Sequence, residues 1–120
     1  MITGFDKETA PLTDYEESVL LPMMVRSLAV KRGRDNAVTN TYICSKLKAK
    51  GYNVSGARIR KLINHIRING LVPRLIATGE GYYIATNNGE MESYIASLKG
   101  REEAIRAVRE AMERQTNQLM

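Results

Sequence analysis

The order in which hydrophobic spacing changes along the chain constrains its fold more than any other feature. Apolar residues first recur at helical spacing, whereas residues 71–78 and 82–86 are rich in β-forming side chains. The sequence Gly-Glu-Gly at residues 79–81, between these two segments, is typical of a hairpin turn. Residues 37–38 fit a very short strand, and residues 90–115 return to strong helix formers. These patterns predict a mainly α fold with a small β-hairpin, in the α+β class.

The first helix is predicted from a capping-box spacing. Thr13 is followed three residues later by Glu16, so a helix should begin at Asp14 and run to about Lys31. Pro22 either kinks this helix or begins a second one, and we favour a kinked or broken first helix. Its apolar face would be formed by Leu20, Met24 and Leu28.

Two further helices are predicted from their caps and stops. Thr39 is a good N-cap for a helix through Lys50, with Gly51 as its stop. Ser55 caps a third helix, which should end at residues 69–70 (Asn-Gly). The apolar residues of that third helix fall at i, i+3, i+4 and i+7; they are Ile59, Leu62, Ile63 and Ile66.

Charge is distributed unevenly along the sequence, whose formal net charge is +5. Residues 36–79 contain none of the 13 Asp and Glu residues but eight of the 18 Lys and Arg residues, so the rest of the chain is net acidic. The eight are Lys46, Lys48, Lys50, Arg58, Arg60, Lys61, Arg67 and Arg74. Clustered charge of one sign indicates a polyanionic partner, although it does not identify that partner as DNA.

Several functional classes have little support in the sequence. One Cys and one His cannot form an internal disulfide or a structural zinc site, and Cys44 falls on an apolar helix face. The carboxylates have no catalytic spacing, and no glycine loop has the context of a phosphate-binding site. No stretch is long enough to span a membrane, and no secretory signal is present. We therefore expect a cytoplasmic protein that is not an enzyme and has no metal or cofactor, and no small-molecule ligand is evident.

The predicted order of helix, short strand, helix, turn, helix, hairpin and helix resembles the winged helix-turn-helix family of DNA-binding domains. Residues 70–73 (Gly-Leu-Val-Pro) and 81–85 (Gly-Tyr-Tyr-Ile-Ala) are more loosely similar to small proteins encoded in phages and prophages. The resemblance covers residues 14–86. The expected organisation is a flexible leader at 1–12, a winged helix-turn-helix domain at 13–88 and a C-terminal helix at 89–120.

The resemblance implies that residues 55–69 form a recognition helix in the major groove of double-stranded DNA. A rotation of 100° per residue turns four side chains away from the core as candidates for contacts with bases: Ala57, Arg60, Lys61 and Asn64. Phosphate contacts are expected from the preceding helix, from the start and flanks of the recognition helix, and from the hairpin: Lys46, Lys48, Lys50, Ser55, Gly56, Arg58, Arg67 and Arg74.

Glu80 departs from the family pattern, because wing tips usually offer basic residues and phosphate should repel a carboxylate. The groove contact of this wing is therefore in doubt. The function implied by the resemblance is that of a phage-type regulator of transcription or replication. The competing hypothesis is a winged-helix module that docks proteins, since fold does not fix function.

The C-terminal helix has an apolar residue at every seventh position, which predicts a coiled-coil seam and a homodimer. Alternatively, its first half packs on the winged domain and its second half projects. Arg101 and Gln115 occupy seam positions that a strict coiled coil would fill with apolar residues. The residues expected to form the dimer contact are Met91, Leu98, Ile105, Val108 and Met112.

Overall fold

The computed structural model describes residues 9–118 of the chain, with side chains described through residue 116. It divides into two compact units, Met1–Thr86 and Asn87–Met120. Among the described residues, the first unit contains three α-helices and one two-stranded antiparallel sheet, and the second is a single long helix. The expectation of a mainly helical chain with a small β-hairpin is therefore confirmed.

The first helical segment begins with the expected capping box. Glu16 N–H donates to Thr13 Oγ1 (3.1 Å), and Thr13 N–H donates to Glu16 Oε1 (2.9 Å). The next residues, Glu16–Leu20, form a π-helical turn, in which the N–H of the following residue donates to the Glu16 carbonyl five residues back. This reciprocal cap fixes the Glu16 carboxylate in place at the start of the segment.

Helix α1 (Leu21–Leu28) continues directly from this π turn, with Pro22 in its first turn. Proline has no N–H to donate, so the hydrogen-bond pattern changes at the position where the sequence predicts an interruption. The helix ends three residues before the expected end at Lys31. The predicted apolar face is confirmed, because all three of its residues are buried: Leu20, Met24 and Leu28.

Helices α2 (Asn40–Ala49) and α3 (Gly56–Ile68) begin at the predicted caps. The hydroxyls of Thr39 and Ser55 each accept a hydrogen bond from the backbone N–H three residues later, at 3.0 and 3.2 Å. Gly51 follows α2 with a φ of +91°, a conformation that glycine adopts without strain. Local sequence signals therefore place both helices to within about one residue.

The sheet pairs β1 (Leu75–Thr78) with β2 (Gly81–Ile84) across a two-residue turn. The free edge of β2 also forms a short antiparallel bridge between Tyr82 and Val38. The very short strand predicted at residues 37–38 is therefore a single bridge at Val38. Gly81 makes this approach possible. A Cβ atom there would lie 2.5 Å from the Val38 carbonyl oxygen, and its φ is +120°.

Strand β1 is shorter than the residue 71–78 segment that its composition suggests. Pro73 cannot donate to a strand ladder, and Arg74 adopts a φ of +62°, which is outside the strand region. The Arg74 carbonyl accepts a hydrogen bond from Ala85 N–H at 2.9 Å, so this turn is fixed against the chain that follows β2.

The core of the first unit is built where the inner faces of the three helices meet the hairpin. The four apolar residues predicted for α3 are each at most 1% exposed. Of the adjacent tyrosines in β2, Tyr83 is buried and Tyr82 is half-buried, as expected when side chains alternate across a strand. Residues from the hairpin and its approach complete the core: Val72, Leu75, Ile76, Ile84 and Ala85.

Helix α4 (Asn88–Gln118) has 31 residues and is about 46 Å long at 1.5 Å per residue. Asn87 caps it, because its side-chain oxygen accepts a hydrogen bond from Glu90 N–H at 2.9 Å. The helix begins one residue before the C-terminal helix predicted at residues 89–120, and its last described residue is Gln118.

Candidate nucleic-acid interface

The outward face of α3 presents polar side chains one helical turn apart. Arg60 and Asn64 are exposed, and Lys61 beside them is half-buried. One turn further on, Ile68 continues the same face with 83% of its surface accessible. Three of the four residues predicted to contact bases therefore share one accessible helix face, and that face also carries an apolar side chain that the sequence analysis did not single out.

Ala57 is a correction to the predicted contact face. Helical rotation places it outward, but only 9% of its surface is accessible. The start of α2 lies against this first turn of α3, where the Asn40 side-chain amide donates to the Gly56 carbonyl at 3.2 Å. Rotation about a helix axis describes only which way a side chain points, and a neighbouring element can cover an outward residue.

Arg58 is a second correction, since it is held in an ion pair and is not presented to solvent as a phosphate contact. Its Nε and Nη2 donate to the two carboxylate oxygens of Glu16 at 2.9 and 2.6 Å. Its remaining donors bind the carbonyls of Ala10 and Pro11 at 2.9 and 3.0 Å. The end of the predicted flexible leader is therefore tied to α3, whereas residues 1–8 lie outside the described part of the chain.

The Glu16–Arg58 pair is largely removed from water. Glu16 is 6% exposed, and the Arg58 hydrogen bonds lower the pKa of its carboxyl group to about 2 against the opposing effect of burial. Reciprocally, the hydrogen bond from Arg58 to the carboxylate raises the pKa of the guanidinium. One of the eight basic charges in residues 36–79 is thus neutralised by a carboxylate from outside that window.

The other predicted phosphate contacts lie at several places around α3. Lys46 and Lys48 are exposed on α2, and Lys50 is exposed directly after it. The Lys46 ammonium is 5.6 Å from the centre of the Tyr42 ring. Arg67 is half-buried on the flank of α3. The remaining three are the exposed Arg74 before β1 and the pair at the start of α3, Ser55 and Gly56.

A hydrogen-bonded chain joins the hairpin to the starts of both helices. The Tyr82 hydroxyl donates to the Asn40 side-chain oxygen at 3.3 Å, and the Asn40 side-chain nitrogen donates to the Gly56 carbonyl at 3.2 Å. Asn40 therefore orients the first turn of α3 relative to β2. No sequence signal predicts this role of Asn40, because residues 40, 56 and 82 are far apart in the chain and share no pattern.

The acidic hairpin tip is engaged locally. The Thr78 hydroxyl donates to Glu80 Oε2 at 2.8 Å, and Arg34 Nε lies 4.0 Å from Glu80 Oε1. These interactions, the Thr78 hydrogen bond foremost, lower the pKa of the Glu80 carboxyl group. The carboxylate is therefore charged at neutral pH, and the tip presents negative charge beside the basic Arg34.

Helix α4 carries an exposed apolar stripe. Ile105, Val108 and Met112 have 69%, 60% and 50% of their surfaces accessible, and Leu98 has 39%. Met91 at the start of the seam is half-buried. Four of the five predicted dimer-contact residues are thus apolar side chains open to solvent within this unit.

The described residues give little support to a metal site, a reactive cysteine or a membrane-spanning helix. Within residues 9–118, no group of three His, Cys, Asp or Glu side chains is placed to hold a metal ion. Cys44 is half-buried on α2. None of the described helices combines the length and apolar character needed to cross a membrane.

Comparison of the chain with models of protein families, with curated proteins and with solved structures finds no match.

Proposed function

We propose that this chain binds double-stranded DNA through the outward face of α3, as a winged helix-turn-helix protein. The observation that carries the proposal is the pair Arg60 and Asn64, exposed one turn apart beside Lys61 in a stretch of sequence without carboxylates. Arginine and lysine can donate to guanine O6 and N7, and asparagine can pair with adenine N6 and N7. These are the side chains that discriminate bases in the major groove.

The order of elements supports this placement. Helices α2 and α3 are joined by residues 50–55, and the β1–β2 hairpin follows α3. In winged helix-turn-helix domains the second of two such helices enters the major groove, which is about 12 Å wide and accommodates one α-helix. The tie from Tyr82 through Asn40 to the first turn of α3 would keep this helix in a fixed orientation.

Basic residues around α3 supply the sequence-independent part of the proposed binding. Five side chains are the proposed phosphate contacts, and each would release counterions on binding. Five such contacts correspond to a slope of about −4.5 when the logarithm of affinity is plotted against the logarithm of salt concentration. The five are Lys46, Lys48, Lys50, Arg67 and Arg74.

The test begins with selection of bound sequences from a random duplex pool, followed by titration of the selected duplex and a scrambled one. Asn64→Ala should reduce discrimination between them by roughly 1–3 kcal/mol, whereas Lys48→Ala should weaken both alike. Arg106→Ala, which removes one exposed positive charge from α4, is the control and should change neither. Absence of binding by the unsubstituted chain at low salt would refute the proposal, and equal effects of Asn64→Ala and Lys48→Ala would refute the placement of the base-reading face.

Regulation of transcription or replication is the role that the loose resemblance to small phage-encoded proteins implies for this proposed binding. Both roles require selectivity for a sequence over the excess of competing sites. The ratio of affinities for the selected and scrambled duplexes measures that selectivity. A ratio near one would indicate a general DNA-coating protein and contradict a regulatory role.

A second proposed function is self-association through α4, favoured by the exposure of Ile105, Val108 and Met112. An apolar stripe at heptad spacing is typical of a helix that is covered by another helix. Sedimentation should show that the full chain has a mass greater than that of its monomer, whereas a chain ending at Gly100 should have the mass of its monomer. The same monomeric mass for both chains would remove this role.

A further inference from the structure

The heptad positions of α4 contain information about which helix covers them. Counting from Met91, the first set of seam positions is apolar: Met91, Leu98, Ile105 and Met112. The second set, three residues later in each heptad, is mixed: Tyr94, Arg101, Val108 and Gln115. A second copy of this chain can cover the seam in parallel or antiparallel orientation, and the two place the charged residues differently.

A parallel pair puts each residue of the seam opposite the same residue of its partner. Arg101 would then face the partner's Arg101 in the middle of the interface, so two guanidinium groups would be partly desolvated against one another. The residues that flank a parallel seam offer no compensation. Ser97 would approach the partner's Glu102, and Ala104 would approach the partner's Arg109.

An antiparallel pair places residues of the first set opposite residues of the second. When Ile105 lies opposite the partner's Val108, Arg101 lies opposite the partner's Met112, and its aliphatic stem can pack there while its charge reaches solvent. The same register sets Glu102 beside the partner's Arg109, and two-fold symmetry makes this opposite-charge pair twice. The interface then contains two central apolar layers flanked by two ion pairs.

Charge also selects this register over its neighbours. Sliding one helix by a heptad in one direction brings Glu102 beside the partner's Glu102, and sliding it in the other brings Arg109 beside the partner's Arg109. Either shift exchanges two attractions for a repulsion. Arg109 already contacts Glu113 of its own helix at 2.7 Å, and a guanidinium with five N–H donors can serve both carboxylates.

We propose that α4 forms an antiparallel two-stranded coiled coil with a second copy of this chain, in the register that pairs Ile105 with the partner's Val108 and Glu102 with the partner's Arg109. The proposal rests on the self-association proposed above and names its geometry. It is tested without DNA, so failure of DNA binding does not affect it. In this register the two Asn88 Cα atoms lie roughly 55 Å apart along the pair, compared with about 10 Å in a parallel one.

Spin-label distances in the full chain separate the orientations. Cys44→Ser first removes the native thiol, and a nitroxide is then attached to the cysteine introduced by Ser93→Cys. The two labels of a dimer should be about 40 Å apart, because 27 residues at 1.5 Å each separate them along the antiparallel pair. A label after Ala107→Cys, near the centre of the pair, should give roughly 10–20 Å in either orientation and serves as the control. A short distance at both positions would overturn the antiparallel orientation, and no distance at either would overturn the dimer.

Charge reversal tests the register. Glu102→Arg and Arg109→Glu should each raise the dimer dissociation constant, measured by sedimentation, by roughly tenfold, because each turns two attractions into repulsions. The double variant should return it to within about threefold of the original. Glu103→Arg, an exposed position on the opposite side of the helix, is the matched control and should have little effect. Equal effects of Glu102→Arg and Glu103→Arg, or a double variant as weak as the singles, would overturn the register.

Discussion

Glu16→Gln is expected to destabilise the first unit more than any exposed charge substitution. The Glu16 carboxylate receives hydrogen bonds from Arg58 Nε and Nη2 and from the Thr13 backbone, and it is 6% exposed. Glutamine keeps one carbonyl oxygen but turns an NH₂ group toward a guanidinium that also donates. The substitution therefore leaves the Arg58 charge without its counter-ion in a largely dry site.

The size of the effect follows from the pKa. Folding lowers the Glu16 pKa from 4.5 to about 2, which by linkage corresponds to roughly 3 kcal/mol of stability at neutral pH. Loss of one partner from a buried pair costs about 3–5 kcal/mol in other proteins, in agreement with that figure. Because the folded pKa is below the unfolded one, this stabilisation is fully present above pH 4.5 and is lost as the pH falls toward 2.

The measurement is urea-induced unfolding at pH 7 and at pH 2, followed by near-ultraviolet circular dichroism. Five of the six tyrosines lie in the first unit, so this signal reports mainly on the part of the chain that contains Glu16. The control is Asp35→Asn, which removes an exposed carboxylate from the same unit. Its effect should stay within about 0.5 kcal/mol.

Two outcomes would contradict a stabilising ion pair. If Glu16→Gln costs no more than Asp35→Asn at pH 7, the Glu16–Arg58 pair does not stabilise the fold. If the loss caused by Glu16→Gln is as large at pH 2 as at pH 7, it does not come from the ionised carboxylate. At pH 2 the difference between the variant and the original chain should be less than about 1 kcal/mol.

Two further substitutions test the tertiary contacts around β2. Gly81→Ala should destabilise the chain by several kcal/mol in thermal or urea unfolding, because its Cβ would lie 2.5 Å from the Val38 carbonyl oxygen at a φ of +120°. Gly79→Ala, with nothing within 4 Å of the added atom, should change stability by less than about 1 kcal/mol, and equal losses would contradict the close approach. Tyr82→Phe removes the hydroxyl that donates to Asn40 and should cost about 0.5–1.5 kcal/mol. If the proposed DNA binding is observed and Tyr82→Phe leaves its affinity unchanged, the hydrogen bonds through Asn40 do not orient α3.

Local chemistry in the sequence was sufficient to place most helices and their inner faces. Thr39 and Ser55 cap helices because a side-chain oxygen can reach an N–H three residues ahead, whatever the rest of the fold does. The capping box at Thr13 and the apolar spacing of α3 are equally local. Strand ends were less well predicted, since Pro73 and the positive φ of Arg74 shorten β1 below what its composition suggests.

The candidate interface was predictable only in part. Rotation about the axis of α3 correctly indicated Arg60 and Asn64 as exposed, but it could not show that only 9% of the surface of Ala57 is accessible. Similarly, a count of charges treats Arg58 like its basic neighbours, although a carboxylate 42 residues earlier neutralises it. Which outward side chains are available to a partner depends on what other elements place against them.

The element order, the caps, the apolar faces and the carboxylate-free stretch from residue 36 to residue 79 can be read from the sequence alone. The caps and apolar faces depend on spacings of at most a few residues along the chain. The folded structure was needed to show that Arg58 pairs with Glu16, that Gly81 lies against the Val38 carbonyl, and that Asn40 joins β2 to α3. The residues in these contacts are separated by 16 to 43 positions along the chain. The energies of the contacts arise from burial and close approach, which no local pattern encodes.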